Sequence, residues 1–244
     1  MSTIPLGARM AAWANAVPSR SQQVDLKRTS ILREAARSFN RSGFHGTTLD
    51  DIAERLGVTK AALYRYVPNK HELLFACFTL AADAAYANFD AGEAQGRNGL
   101  EKIRIGLQGY VRDMIGEFGY PVVLLEENAL LPEHAKVIIN RRDRVERRLR
   151  SLIAQGIEDG SIAPCNPKLV SFAIFGAVNW VPKWYRAGGA WSAEEVAEWL
   201  LAVVTRSIAA EPHRIDIDGP RATRRGAAKT SHSRRRTARR SAGK

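Results

Sequence analysis

The chain of 244 residues contains few of the groups from which metal, redox and catalytic sites are built. Its two cysteines, Cys77 and Cys165, and its five histidines match no metal or redox spacing. We therefore expect reduced thiols in a cytoplasmic protein, with no metal and no other cofactor. The sequence also has no Ser-His-Asp or Cys-His order, no phosphate-cradling glycine loop and no paired-carboxylate pattern, so an enzyme is disfavoured.

Long apolar runs are missing as well. Nothing in the sequence approaches the length of a transmembrane helix, and the apolar stretch near the N-terminus is too short for a signal peptide. We expect residues 1–23 to form a mobile extension. The apolar fraction of 45% is ordinary for a globular protein with a core. The periodicity after Lys70 is helical, with no run that predicts a strand.

Acidic residues are absent from the C-terminal end of this basic chain, whose net charge is +12. Ten lysines and arginines lie between Arg221 and Lys244, so the rest of the chain is nearly neutral. This tail has no aromatic or large aliphatic residue, and we expect residues 211–244 to be disordered. Two roles stay open, a solubilising extension and a flexible phosphate binder that raises DNA affinity. A membrane-surface role is disfavoured because no apolar anchor lies beside the charges.

Residues 47–73 carry the pattern of a helix-turn-helix. Thr48 and Asp51 have the spacing of a capping box, and Gly57 ends the short helix that follows. Val58 is predicted to be a buried turn residue, and Thr59 to cap a second helix over residues 60–66. In such a motif the second helix lies in the major groove of DNA. The alternative is a small amphipathic helical hairpin in which the tyrosines only pack. It explains the caps, the turn glycine and the exposed polar residues less well than a helix-turn-helix does.

The second helix carries side chains suited to DNA. An arginine can donate two hydrogen bonds to a guanine edge, whereas lysine and tyrosine suit phosphate oxygens. We assign base reading to Arg65 and phosphate binding to Lys70. The full set of predicted DNA contacts is Thr47, Thr48, Thr59, Lys60, Ala61, Tyr64, Arg65 and Lys70.

This segment closely resembles the N-terminal domain of TetR-family transcriptional regulators. The matching positions are Thr47, Thr48, Asp51, Ile52, Ala53, Gly57, Val58, Thr59, Leu63, Tyr64, Tyr66, Asn69, Lys70 and Leu73. Val67 departs from the pattern, because the family usually has Phe there, and this weakens a packing contact. The resemblance extends upstream through a first helix over residues 24–42. It implies an all-α fold of about nine helices, with a helix-turn-helix domain at 24–70 and a helical effector-binding and dimerisation domain at 71–210.

The second domain is predicted to contain helices near residues 70–90, 100–118, 121–131, 132–160, 168–186 and 193–209. Residues 91–98 are predicted to form a loop, and Pro182 to kink the helix that contains it. The arginines between Arg141 and Arg150 are interpreted as a solvated face. Residues 179–200 resemble a C-terminal motif of TetR regulators that govern breakdown of fatty acids, steroids or aromatic acids, several of which respond to acyl-CoA thioesters. The matching positions are Asn179, Trp180, Trp184, Tyr185, Arg186, Gly189, Ser192, Glu194, Glu195 and Ala197.

The resemblance implies a ligand site and a dimer interface in this domain. The candidate ligand-binding residues are Tyr110, Met114, Phe118, Phe175, Trp180, Trp184 and Arg186, although core or interface packing is the favoured role of the two tryptophans. The candidate interface residues are Phe172, Val178, Trp199 and Val203.

Together these features predict a homodimeric regulator that binds a pseudo-palindromic operator and is released by a small effector, with an acyl-CoA as the candidate. Repression is the favoured mode, but the residues leave activation open. The competing hypothesis is a nucleoid-type protein that binds bulk DNA through the tail and has no effector.

Overall fold

The computed structural model describes residues 19–115, 127–186 and 188–212. Within these residues the chain is helical, and its only β-type pairing is an isolated bridge between Ile162 and Ala209. The predicted all-α class is therefore confirmed. No helix in the described ranges is long and apolar enough to cross a membrane. The first 18 residues, most of the predicted helix 121–131 and the basic tail from residue 213 onward lie outside these ranges.

The helices are numbered here in chain order. They are α1 (Arg20–Ser42), α2 (Leu49–Arg55), α3 (Lys60–Tyr64), α4 (Lys70–Gln95), α5 (Gly99–Ile115), α6 (Pro132–Glu158), α7 (Pro167–Asn179), α8 (Val181–Trp184) and α9 (Ala193–Ile208), with a 3-10 turn at Glu127–Ala129. Helix α1 begins four residues earlier than predicted, because Ser19 and Gln22 form a reciprocal capping box. Residues 20–23 therefore belong to this helix and not to an extension.

Two hydrophobic clusters organise the described part of the chain. The first joins α1, α2, α3, the N-terminal half of α4 and Ile138 of α6, and includes Phe39 and Leu63. The second joins the C-terminal half of α4 to α5, α6, α7 and α9, and includes Phe89 and Leu149. Because α4 and α6 contribute to both clusters, they link the helix-turn-helix to the larger helical bundle.

Two predicted boundaries change for identifiable reasons. Helix α4 continues to Gln95 through the predicted loop, and Gly92 serves close helix packing there, since a Cβ would lie 2.3 Å from the carbonyl oxygen of Lys102. The helix predicted over 168–186 is interrupted at Trp180. Pro182 lies in the first turn of the short α8, which agrees with the predicted kink.

Candidate DNA interface and effector cavity

The helix-turn-helix is held by side-chain caps at both of its helices. The Thr48 hydroxyl accepts a hydrogen bond from the Asp51 N–H at 3.1 Å, and the Thr48 N–H donates to the Asp51 carboxylate at 3.0 Å. Hydrogen bonds from Thr48 hold the pKa of Asp51 below its ordinary value. Gly57 adopts a φ of 65°, and the Thr59 hydroxyl accepts from the Ala62 N–H at 3.2 Å. These caps place α3 after a tight turn, as the sequence pattern predicts.

One face of α3 is exposed while the other is buried. Leu63 is fully enclosed in the first cluster, whereas Ala61, Tyr64 and Arg65 are exposed. Arg65 makes no hydrogen bond or ion pair with any residue that the structure describes, so its five N–H donors are available. Lys60 pairs with Asp50 at 2.9 Å, and this exposed contact raises the pKa of the lysine. Such a pair is weak and can exchange for a phosphate oxygen.

Two predicted DNA contacts make hydrogen bonds within the fold. Thr47 is only 2% exposed, and its hydroxyl donates to the carbonyls of Ser38 at 3.1 Å and Gly43 at 2.8 Å. The Lys70 ammonium donates to the carbonyls of Phe44 at 2.7 Å and Thr47 at 2.8 Å. Lys70 thus ties the start of α4 to the loop between α1 and α2, since both carbonyls belong to that loop.

Val58 also differs from its prediction, because it is exposed in the turn. Val67, which replaces the phenylalanine usual in the TetR pattern, is buried in the first cluster. The smaller residue therefore still packs at that position.

A cavity of about 530 Å³ lies between α4, α5, α6 and α7. Three of the predicted ligand residues, Tyr110, Met114 and Phe175, line it. The Tyr110 hydroxyl donates to the Asn179 side-chain oxygen at 2.7 Å. Burial raises the pKa of Tyr110 to about 12, so this hydroxyl stays protonated near neutral pH. The fourth apolar candidate, Phe118, lies outside the described residues.

The other three predicted ligand residues do not line this cavity. Trp180 is 62% exposed and Trp184 is 46% exposed. The Arg186 guanidinium donates to the carbonyls of Lys183 and Tyr185, which are its own chain neighbours. The break at Pro182 explains the separation, because it ends the helical register that would carry these residues along α7.

Three of the predicted interface residues are exposed and one is not. Phe172, Trp199 and Val203 present apolar side chains to solvent. Val178 is 1% exposed and packs in the second cluster, so it is a core residue of the subunit. Phe172 also lines the cavity, which brings one predicted interface residue to the candidate ligand site.

The arginines of α6 do not form one solvated face. Arg141, Arg144 and Arg148 contact Asp83, Tyr86 and Asp90 on α4. Arg142, Arg147 and Arg150 line the cavity together with Lys168 of α7. The arginines of the first set are three and four residues apart, but those of the second are five and three apart, so spacing alone does not separate the two faces.

Comparison with known proteins agrees with this architecture. Residues 31–77 match the family of bacterial regulatory proteins called tetR, and residues 96–208 match the tetracyclin repressor-like C-terminal domain. The chain is 30% identical to the TetR-family regulator PfmR from Thermus thermophilus, with a TM-score of 0.66 over 72% of this chain and 97% of that one. The chain belongs to the TetR family of transcriptional regulators.

Other TetR regulators indicate a subgroup. The transcriptional repressor KstR2 of Mycobacterium tuberculosis is 28% identical over 193 residues, which cover 78% of this chain and 96% of KstR2. The structure of KstR2, a ketosteroid regulator, aligns with a TM-score of 0.67 over 75% of this chain and 95% of that one, at 25% identity. The structure of AibR with isovaleryl coenzyme A and operator DNA aligns at 26% identity and a TM-score of 0.61, over 72% of this chain and 97% of that one.

Proposed function

We propose that this TetR regulator is a homodimeric repressor that binds a pseudo-palindromic operator and is released by an acyl-CoA thioester. Repression is supported by the relative KstR2, a repressor, and the effector class by AibR, which was crystallised with isovaleryl coenzyme A and operator DNA. The observation that carries the proposal is the cavity, because its apolar lining adjoins exposed basic side chains. Such a site suits a ligand with an apolar part and an anionic part.

Operator recognition is assigned to α3. Arg65 is the candidate base reader, because it is exposed and uncommitted within the described residues, and a bidentate arginine contact favours guanine. Tyr64 and Lys60 are candidates for phosphate oxygens on either side of it. Thr48, Thr59 and Ala61 complete the proposed contact surface, since the exposed ends of α2 and α3 carry them.

Dimerisation is assigned to α7 and α9. Exposed residues recur along one face of α7 at intervals of three or four, and the set comprises Leu169, Phe172, Ala173, Gly176, Ala177 and Trp180. Trp199 and Val203 are exposed on α9. Apolar faces of this kind are unfavourable in water, and a second copy of the chain would bury them in a two-fold interface. The two α3 helices would then read two half-sites.

Release requires that the effector favour a subunit arrangement that misfits the operator. Helix α4 is the proposed lever, because Phe78, Ala81, Ala82 and Ala85 line the cavity while Lys70 anchors the same helix to the DNA-reading head. A difference in ligand affinity of about 1–3 kcal/mol between the two arrangements would weaken operator binding several-fold to about a hundred-fold.

The proposal is tested by selecting an operator from random duplexes and then titrating effectors against the labelled complex in fluorescence anisotropy. We expect a pseudo-palindromic site and its release by acyl-CoAs. Release by uncharged hydrophobes or free acids alone would refute the thioester. Binding to random duplexes without any preference, and without response to any ligand, would instead favour a nucleoid-type protein.

A further inference from the structure

We propose that Arg147, Arg150 and Lys168 form the phosphate subsite of the effector site. These three side chains are called the basic shelf below. The inference rests on the proposed function, since it concerns the same ligand, and it assigns the anionic part to residues other than Arg186. The shelf would favour a polyanionic thioester, which can contact several of its side chains, over the matching free acid, which offers one carboxylate.

The position of the basic shelf connects two concave regions. Its three residues line the apolar cavity, and they also line a shallow depression of about 540 Å³ outside it. The remaining lining of that depression is Ser151, Ala154, Asn166 and Pro167, so no described acidic residue faces it. A ligand could therefore keep an apolar chain inside the cavity while its anionic groups rest on the shelf.

The charges of the shelf are largely uncommitted. Arg147 makes no ion pair or hydrogen bond with any described residue. Arg150 lies 3.7 Å from the Glu146 carboxylate, and that carboxylate also accepts a hydrogen bond from Ser171 at 2.7 Å. The Lys168 ammonium lies 5.9 Å from the centre of the Phe172 ring, a contact that leaves its donors open. Arginines bind phosphate oxygens through two parallel hydrogen bonds, which this arrangement permits.

The N-terminus of α7 does not offer a second anion site beside the shelf. The Asn166 side chain accepts from the Lys168 N–H at 3.1 Å and from the Leu169 N–H at 3.2 Å. The first free amides of the helix are therefore already capped. Phosphates at this position would have to be held by the shelf itself.

The lining of the cavity carries charges of both signs. Asp113, Asp143 and Glu146 line it together with Arg142, and carboxylates repel one another at short range. A free acid has a single anionic group, which would either approach these carboxylates or occupy only part of the shelf. A thioester has no charge at that point, and its phosphates lie at the far end of a long arm. The distribution of charge thus favours the thioester over the acid.

The test uses the full chain and three probes, octanoyl-CoA, octanoate and coenzyme A, in calorimetric titrations. The double variant R147A/K168A should bind octanoyl-CoA at least about ten-fold more weakly, because it loses charge-assisted hydrogen bonds. Its affinity for octanoyl-CoA should also become less sensitive to salt. R186A is the matched control and should bind octanoyl-CoA as the parent does. Operator affinity without ligand should be the same in all three proteins, which shows that folding and the DNA-reading head are intact.

Parent-like binding of octanoyl-CoA by R147A/K168A would overturn the shelf while leaving the proposed function in place. Loss of binding in R186A alone would assign the phosphates to that residue and likewise overturn the shelf. If octanoate binds the parent as tightly as octanoyl-CoA does, a phosphate subsite is excluded. If the parent binds no acyl-CoA but still binds a selected operator, the thioester part of the proposed function fails together with the shelf.

Discussion

At the scale of single residues, Arg65 is the side chain on which operator specificity is expected to depend. It is exposed on α3 and has no partner among the described residues, so nothing competes with a base for its donors. Arg65→Ala should reduce discrimination against a substituted operator base by about 1–3 kcal/mol. Arg65→Lys is the control, because it keeps the charge and loses the bidentate geometry. Anisotropy titrations with operator and substituted duplexes measure both, and unchanged discrimination in both variants would remove Arg65 from base reading.

Lys70 and Lys60 are expected to have different roles, the first in stability and the second in DNA binding. Lys70→Met removes the ammonium that serves the carbonyls of Phe44 and Thr47, so unfolding free energy should fall by about 1–3 kcal/mol. Lys60→Met breaks only an exposed pair with Asp50 and should change stability little. The Lys60 variant should instead lower the salt dependence of DNA binding by about one unit of slope. Urea denaturation and salt titrations distinguish the two, and the reverse pattern would contradict these roles.

Residue roles could be predicted from the sequence where the cause is local. The caps at Thr48 and Thr59 depend on partners three residues away, and both are present. Thr47 and Lys70 could not be assigned this way, because Lys70 reaches carbonyls 26 and 23 residues earlier in the chain. A family pattern marks such residues without saying whether they contact DNA or hold the head together.

At the scale of secondary-structure elements, α4 and α6 lie side by side and run in the same direction. A series of side-chain contacts, called the ladder below, runs along the two helices in the same order. It begins with Glu72 and His134, continues with Tyr86 and Arg144, and ends with Glu93 and Gln155. The Arg144 guanidinium lies 3.9 Å from the centre of the Tyr86 ring. This ladder sets the position of α4, and therefore of the DNA-reading head, relative to the cavity.

The contacts of the ladder should contribute most to stability where the arginine side chain is least exposed. Arg148 is 23% exposed and contacts both Asp90 and Glu93, whereas Arg141 is 37% exposed and contacts only Asp83 among described residues. Arg148→Met should therefore cost about 1–2 kcal/mol of unfolding free energy, and Arg141→Met less than about 1 kcal/mol. Urea denaturation at low and high salt measures both losses. A larger loss of unfolding free energy in the Arg141 variant would show that burial does not decide how much each contact contributes.

The helices themselves were predictable because periodicity and caps are local signals. The predicted kink at Pro182 is present for that reason. The division of the α6 arginines between two faces could not be predicted from the sequence, because the α4 partners of Arg141 and Arg148 lie 58 residues away in the chain. The lining of the cavity was equally unpredictable, because the Tyr110 hydroxyl bonds to the Asn179 side chain 69 residues later in the chain. The burial of Val178 in the second cluster likewise depends on residues distant in the chain.

At the scale of the whole molecule, charge is divided between a nearly neutral body and the tail 221–244. Deleting that segment removes ten positive charges and no aromatic or large aliphatic residue. We expect folding and oligomeric state to be unchanged, while affinity at low salt falls for specific and non-specific DNA together. Circular dichroism and salt-dependent anisotropy provide the measurements. Unfolding of the truncated chain would show that the tail contributes to the core.

The proposed dimer makes a prediction about geometry as well as mass. A two-fold axis through α7 and α9 would place paired α3 helices one or more DNA turns apart, about 34 Å or a multiple. Val203→Glu would bury two charges at such an interface, one from each subunit, and should weaken dimerisation by about a hundred-fold. Val137→Glu, an exposed apolar position on α6, is the control and should remain dimeric. Light scattering at micromolar protein reports the mass, and footprinting reports the protected half-sites. A parent chain that is monomeric, or that protects one isolated half-site, would contradict the two-fold arrangement.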